Sequence, residues 1–295
     1  MSSPAKAKFR RSTICSLVAV GVIFLFAFAC TTPPQDFYHA ATQLPGEVEI
    51  QKHFEFGGRL AITLHLENGR EFRCFVDTGS PDTLLPRSLE PELGKRLSKL
   101  RYSTLGGGVE TANVYAAPKI YLGDTLLLMD ERAGTCDQPA GILGMDCLGH
   151  YCIQLDFAAS KMRFLNPEKI NPSELGRAFA LQNSRYAYIE SMGFLESQRS
   201  RLLVDTGFDF DGVIAPKVLK RAIREKTAES IPVKAFGKMA GSPPELVRIP
   251  QRVWNSETYT NLIIFPEKPN LIGLKFLARH QVTFDFPHRV MYLKP

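Results

Sequence analysis

An internal duplication limits how this chain can fold more than any other feature of its sequence. An Asp-Thr-Gly triplet follows an apolar run at residues 77–79 and again at 205–207, 128 positions later. Two apolar residues and a glycine occupy 142–144 and recur at 271–273. A third landmark, an apolar-Asp-Phe element, occupies 155–157 and recurs at 284–286. Because the three landmarks occur in the same order, they indicate a duplicated unit of about 115–120 residues. This period is too long for a solenoid.

Each repeat has the residue pattern of a β-rich unit. Residues 59–66 alternate between apolar and polar, an Asn-Gly turn follows, and residues 71–76 return as a second strand. The second copy has matching segments at 186–190 and 200–204, and residues 119–128 predict another hairpin. Helical patterns are few and short: 89–100, 145–150, 217–229 and 274–279. The sequence therefore predicts an all-β fold with a few short helices.

The N-terminal segment predicts export. Four basic residues precede an uncharged apolar run at 14–29, and Cys30 then opens a polar, proline-bearing stretch. This order is typical of a secretory signal peptide. Ala-Phe-Ala-Cys at 27–30 also resembles a bacterial lipobox, in which Cys30 would become the lipidated first residue. The alternative is an uncleaved N-terminal membrane anchor. Either way, the positive-inside rule predicts a membrane-tethered protein on the periplasmic or cell-surface side.

Composition excludes some partners. The chain is 44% hydrophobic and 22% charged, as expected for a folded protein. Its formal net charge is +6, but four of those charges lie in the first 29 residues, so the rest of the chain carries only +2. This near balance gives no reason to expect a nucleic-acid partner.

Cysteine usage leaves alternatives open. If Cys15 and Cys30 belong to the signal, Cys74, Cys136, Cys147 and Cys152 remain. They could form up to two disulfides in an oxidising compartment, although Cys74 lies in an apolar strand pattern and is as readily explained as a buried thiol. A zinc site that adds His150 to the last three is a weaker alternative, because the paired C-x-x-C spacing of structural zinc modules is missing.

Asp77 and Asp205 point to a specific chemistry. An apolar strand before each aspartate would deliver its carboxyl to a fixed point, and the glycine that follows would let a second loop approach closely. Two carboxyls held together cannot both ionise cheaply, so one proton is shared between them. A shared proton makes an acid and a base from identical residues, with a water between them poised to attack a carbonyl.

On these motifs, each repeat resembles one lobe of an aspartic protease of the retropepsin/pepsin superfamily. The resemblance implies a single chain with two similar β-barrel lobes, an active-site cleft between them, and endopeptidase activity. It also implies roles for the following residues: Asp77 and Asp205 as catalytic aspartates, Thr78 and Thr206 as braces, Gly79 and Gly207 as turn formers, and Ser80 as the residue that orients Asp77.

The resemblance extends to a lid and to partners. It places a flap over the substrate around Gly106, Gly107 and Gly108, and a second flap region at 235–246. It implies a peptide or protein substrate and no metal or organic cofactor. Because both aspartates belong to one chain, we expect a monomer, with pairing of lobes between chains as the alternative.

These observations predict the domain boundaries. The expected segments are a signal peptide or anchor at 1–29, a linker at 30–50, a first lobe at 51–167, a linker at 168–180 and a second lobe at 181–295.

Phe208 supports a competing hypothesis. The superfamily usually has Ser, Thr or Ala after the second triplet, where a hydroxyl supports the carboxylate, and this chain has Phe208. The competing hypothesis is therefore an exported lipoprotein that keeps the protease fold but binds or scaffolds without turnover.

Among the other acids, we expect Asp156 and Asp285 to cap turns. The calcium-loop pattern that Asp209 and Asp211 begin is not completed. We expect these two acids to lie on an exposed insertion instead, because this loop is counted as two residues longer than its counterpart in the first repeat.

Overall fold

Strands that join residues far apart in the sequence make up most of this protein. The computed structural model describes residues 40–53, 59–103, 109–182, 185–195, 199–231 and 246–295. In chain order the strands of these residues are β1 Glu47–Glu49, β2 Gln51–His53, β3 Arg59–Leu66, β4 Glu71–Val76, β5 Leu84–Pro86, β6 Ser98–Ser103, β7 Val109–Ala116, β8 Ile120–Leu122, β9 Thr125–Leu126, β10 Arg132–Cys136, β11 Gly141–Leu143, β12 Cys152–Asp156, β13 Lys161–Leu165, β14 Arg177–Gln182, β15 Tyr188–Met192, β16 Arg199–Asp205, β17 Gly212–Ile214, β18 Glu229–Ile231, β19 Leu246–Trp254, β20 Glu257–Pro266, β21 Leu271–Gly273, β22 Gln281–Asp285 and β23 Val290–Lys294.

Helices are short, as the sequence predicts. The α-helices of the described residues are α1 Met145–Leu148, α2 Pro216–Arg224 and α3 Leu274–Leu277, and 3-10 turns occupy Arg87–Glu92, Pro167–Lys169 and Pro172–Glu174. The all-β class is confirmed, and so are the hairpins predicted around the Asn-Gly turn and at 119–128. Among the described residues, no helix is both long and apolar enough to cross a bilayer.

The helix predicted at 89–100 is wrong. Residues 87–92 form a 3-10 turn, and residues 98–103 are strand β6, which pairs with β7. Pro91 lies inside the turn and Gly94 has a φ of +75°, so the chain reverses before an α-helix can be completed. The helix predicted at 217–229 is shorter than expected, because residues 229–231 form strand β18.

Both expected linkers contain a strand. Glu47–Glu49 forms β1, which pairs with β13, and Arg177–Gln182 forms β14, which pairs with β23. Strand β1 has only three residues, too few for an apolar alternation to identify a strand in the sequence, whereas Phe179 and Leu181 of β14 do alternate and are buried. The domain boundaries themselves stay a prediction.

The two sequence repeats pair their strands in the same way. In the first, β4 runs parallel to β11, which pairs antiparallel with β5, and β5 runs parallel to β10. In the second, β16, β21, β17 and β20 have the same relations. Each aspartate therefore leaves the end of a strand that is hydrogen-bonded to the apolar-apolar-Gly strand of its own repeat.

A shared sheet joins the repeats. Strand β12 of the first repeat pairs antiparallel with β22 of the second, within a 13-stranded sheet of the described residues. At the centre of this pairing Gln154 Nε2 donates to Thr283 Oγ1 at 3.2 Å. These two residues are 129 positions apart, the offset of the duplication itself. The main apolar core runs through both repeats, so the strands that carry the aspartates are fixed in a common framework.

Candidate active site

The two Asp-Thr-Gly loops begin where buried strands end. In β4 the side chains of Phe72, Cys74 and Val76 face the interior, and Asp77 follows directly. In β16 the last four residues are all buried, and Asp205 is the final one. Because each strand is held by its neighbours on both sides, each carboxyl starts from a fixed backbone position.

Four hydrogen bonds made by Thr78 and Thr206 hold the loops together, two of them between these residues and two to backbone carbonyls of the opposite strands. Thr78 Oγ1 donates to the carbonyl of Val204 at 2.6 Å and accepts from the Thr206 backbone N–H at 3.1 Å. Thr206 Oγ1 donates to the carbonyl of Val76 at 2.7 Å and accepts from the Thr78 N–H at 3.0 Å. Both threonines are buried, so these bonds are protected from water. The predicted bracing of the loops by threonine is thus present in both directions, because each threonine bonds to the loop of the other.

Each aspartate packs against the glycine of the other loop. A Cβ atom on Gly79 would lie 2.6 Å from Asp205 Oδ1, and one on Gly207 would lie 2.6 Å from Asp77 Oδ1. Real Cβ atoms do not approach other atoms so closely, so no other residue fits at either position without displacing a carboxyl. The missing side chains let the carboxyls of the two loops meet.

The carboxyl groups are held in matching geometry. The N–H of Gly79 donates to Asp77 Oδ1 at 2.8 Å, and the N–H of Gly207 donates to Asp205 Oδ1 at 2.8 Å. The amide of each loop thus fixes the orientation of that loop's own carboxyl.

Burial raises the pKa of both aspartates. The pKa of Asp77 rises chiefly because its carboxyl is desolvated, although the Gly79 N–H opposes this. Burial and then the negative charge of Asp77 raise the pKa of Asp205 well above its usual range. The two groups titrate as a pair, and the pair retains one proton to a higher pH than an exposed carboxyl would.

Ser80 and Phe208 occupy equivalent positions with different side chains. The carbonyl of Ser80 accepts from Met145 N at 2.9 Å, and that of Phe208 accepts from Leu274 N at 2.8 Å. The hydroxyl of Ser80 donates to the carbonyl of Asp82 at 2.8 Å, so its proton is not directed at Asp77 as the resemblance implied. The ring of Phe208 packs against two other phenylalanines, Phe210 and Phe265.

A buried polar group lies behind each loop, and the sequence did not reveal either one. In the first repeat Thr83 Oγ1 donates to Asp146 Oδ1 at 2.6 Å, while Asp146 Oδ2 is a buried atom with no hydrogen-bond partner. In the second repeat Asp211 takes the place of Thr83; it accepts from Ile263 N at 2.8 Å and pairs with Arg279 at 3.0 Å. Burial raises the pKa of Asp146 to about 7.

The exposed insertion expected at Asp209 and Asp211 does not exist. Strand β5 begins seven residues after Asp77 and β17 seven residues after Asp205, so the two loops have the same length. Asp211 is 0% exposed and the side chain of Asp209 is 13% exposed. Spacing alone could have shown the equal lengths, but burial of these acids depends on residues distant in the sequence.

The other acids and the cysteines have structural positions. Asp156 Oδ1 accepts from Ala159 N and Asp285 Oδ1 from His288 N, which confirms their predicted role in turns. Four cysteines are buried free thiols, so none of them forms one of the disulfides that the sequence allowed: Cys74, Cys136, Cys147 and Cys152. In the part of the chain that is described, no three His, Cys, Asp or Glu side chains gather as a metal site would require.

Several predicted residues lie outside the described residues. They are Cys30 with the signal segment 1–29, the flap glycines Gly106, Gly107 and Gly108, and residues 235–245 of the second flap region.

Comparison with known proteins gives one family. A family model described as "Aspartyl protease" matches residues 62–147. The matched segment contains the first Asp-Thr-Gly triplet and the first apolar-apolar-Gly strand, and it confirms the predicted resemblance. No curated protein matches the chain.

Replacing Thr78 tests the bonds between the loops. Thr78→Val keeps the volume but leaves the carbonyl of Val204 and the N–H of Thr206 unsatisfied in a buried place. Because each such group costs about 1–3 kcal/mol, we expect the free energy of unfolding to fall by about 2–6 kcal/mol in urea denaturation. Thr78→Ser keeps the hydroxyl and should lose only about 1 kcal/mol. Equal losses in the two variants would contradict this role.

Asp146 makes stability depend on pH. The unfolded chain releases this proton near pH 4, whereas the folded protein retains it to about pH 7. Between these values the folded state binds more protons, so stability falls as pH rises, by at most about 1.4 kcal/mol per pH unit for one proton.

Asp146→Asn removes this proton and should therefore flatten that slope. The paired aspartates contribute equally to both proteins, so the difference between variant and wild type isolates Asp146. We expect the variant to gain stability relative to wild type between pH 5 and pH 8 in urea denaturation. A difference that stays constant with pH would show that Asp146 does not titrate in this range.

Proposed function

We propose that the protein is an exported aspartic endopeptidase whose catalytic residues are Asp77 and Asp205, a proposal that the match of residues 62–147 to the aspartyl protease family model supports. The reciprocal packing of each carboxyl on the glycine of the other loop carries the proposal. That packing gives a buried pair of carboxyls one proton to share, which is the arrangement that peptide hydrolysis by activated water needs.

The two aspartates act as base and acid in turn. The ionised carboxyl takes a proton from water as the oxygen attacks the scissile carbonyl, and the protonated carboxyl donates to the carbonyl oxygen. The resulting tetrahedral species then collapses when the leaving nitrogen is protonated from the pair. The elevated pKa of both groups supports this cycle, because the pair must begin with one proton.

The loops supply positioning. Thr78 and Thr206 fix the separation of the carboxyls, and the N–H groups of Gly79 and Gly207 fix their rotation. Since both loops come from one chain, a monomer has the complete pair. The substrate is a peptide or protein.

Phe208 does not by itself favour the silent binding or scaffold lipoprotein. Its backbone makes the same contact to the following helix as that of Ser80, and its N–H reaches the carbonyl of Asp205 at 3.4 Å, as that of Ser80 reaches Asp77 at 3.3 Å. The Ser80 hydroxyl is itself engaged by Asp82. The two loops thus have the same backbone support, with or without a hydroxyl, which favours an active pair.

Export and lipid attachment complete the proposal. The basic start, the apolar run at 14–29 and the lipobox-like residues before Cys30 support a periplasmic or cell-surface enzyme tethered by lipid. The substrate would then be a protein of the same compartment.

Removing either carboxylic acid should abolish proteolysis. We expect Asp77→Asn and Asp205→Asn each to reduce kcat/KM on an unfolded protein substrate by about 10³-fold or more, because one proton-transfer partner is lost. Asp124→Asn, an exposed aspartate at the β8–β9 turn, is the matched control and should retain activity. Circular dichroism would verify the fold of each variant. Cleavage at the wild-type rate by either active-site variant, or binding of a transition-state analogue by wild type without any turnover, would reject the proposal.

Lipid attachment has its own measurement. Intact-mass spectrometry of the mature protein should give a chain that starts at Cys30 and carries a diacylglycerol group. Cys30→Ser should give a chain without that mass. A wild-type chain that keeps residues 1–29 would instead identify an uncleaved anchor.

A further inference from the structure

One arginine contacts a residue near each aspartate in the sequence, Phe75 before Asp77 and Asp209 after Asp205. Arg59 opens strand β3, and its guanidinium carbon is 5.1 Å from the centre of the Phe75 ring, two residues before Asp77. Its Nη1 donates to Gln138 Oε1 at 3.1 Å. These contacts hold the cation at a defined place at the edge of the site, with only a third of the side chain exposed.

The same cation faces an acid of the other repeat. Arg59 Nε lies 3.8 Å from Oδ1 of Asp209, which is four residues after Asp205. This distance is too long for a hydrogen bond, and both atoms are buried without a hydrogen-bond partner. The two opposite charges therefore form an ion pair without a hydrogen bond, and each still interacts electrostatically with other charged groups nearby.

We propose that Arg59 and Asp209 are positioning residues that set the proton affinity of the Asp77–Asp205 pair through their opposite charges. This inference rests on the proposed function of that pair. Arg59 stabilises the ionised form of the pair, and Asp209, when ionised, offsets part of that effect. Neither residue is expected to touch the reacting atoms.

The electrostatics of the described residues agree with this arrangement. The Arg59 cation lowers the pKa of both Asp77 and Asp205 and so opposes the effect of burial. Burial raises the pKa of Asp209 to about 6, again against the influence of Arg59. Within the described part of the chain, the contacts of Arg59 with Gln138 and Phe75 are to uncharged groups, and the titratable residue His53 lies opposite Arg59 in the β2–β3 pairing. Asp137, next to Gln138, is paired with Arg87.

Titration of Asp209 would make the pair respond to acidity. Above about pH 6 Asp209 is ionised and partly neutralises Arg59. Below that pH Asp209 gains a proton, so the full charge of Arg59 acts on Asp77 and Asp205. The pair would then keep its single negative charge to lower pH, which extends the active form into acid.

A second ion pair provides the control. Arg185, which precedes β15, pairs with Asp82, so that an arginine of one repeat again meets an acid after the other repeat's triplet. Here the two groups are in direct contact, and the arginine side chain is 52% exposed. The leading influences on Asp77 and Asp205 include Arg59 but not Arg185. Arg185→Gln therefore removes a similar ion pair without the proposed effect.

The test compares opposite substitutions in the full chain. Arg59→Gln should raise the pH of both limbs of the kcat/KM profile by about 0.5 unit or more, since the pair loses a stabilising cation. Asp209→Asn should lower both limbs, since the cation is no longer offset. Arg59→Lys should return the limbs toward wild type, and Arg185→Gln should leave them in place. A purely structural role for Arg59 and Asp209 would reduce activity or stability without opposite shifts, and that result would overturn the inference.

A second readout does not need activity. Carboxyl ¹³C NMR of protein labelled at aspartate, with Asp77→Asn and Asp205→Asn for assignment, follows the titration of the pair directly. Opposite shifts in Arg59→Gln and Asp209→Asn without proteolysis in wild type would support the inference and reject the proposed function. Proteolysis in wild type with an unshifted titration would reject the inference alone.

Discussion

The contact between each aspartate and the glycine of the opposite loop is the constraint on which the rest of the site depends. With any side chain at Gly79 or Gly207 the carboxyls could not meet. The threonine hydrogen bonds reach across the same contact, and the strands that end at the aspartates are held by their own repeats. Close approach of two loops thus explains why Asp, Thr and Gly must be adjacent in the sequence.

Duplication preserved the backbone of the site more closely than the side chains behind it. The first repeat supports its loop with a hydroxyl and a buried acid, Thr83 and Asp146, whereas the second uses a buried ion pair, Asp211 with Arg279. The first backbone N–H of the following helix makes the same hydrogen bond in both repeats, from Met145 to the carbonyl of Ser80 and from Leu274 to that of Phe208. The two aspartates therefore share one geometry but have different electrostatic surroundings, which allows identical residues to differ in proton affinity.

The sequence predicted the parts of this structure that rest on local pattern. Alternation in residues 59–66 and the repeated triplets were sufficient for the main hairpins and for the meeting of the two loops. Prediction failed where partners distant in the sequence decide the outcome. Residues 98–103 form a strand because β7 pairs with them, and Asp209 is largely buried because Arg59 of the other repeat lies against it. The Ser80 hydroxyl likewise follows the local turn and bonds to Asp82.

The contacts that hold the two carboxyls together also determine their protonation. Two free carboxylates would separate to relieve their repulsion, but here the threonine bonds and the glycine contacts prevent any separation. Repulsion between buried like charges can then be relieved only by binding a proton. A rigid pair is consequently a protonated pair, and its proton is available for transfer at a pH where an ordinary carboxyl would already be ionised. A nearby cation such as Arg59 limits how far this elevation goes, so that one carboxyl can remain a base.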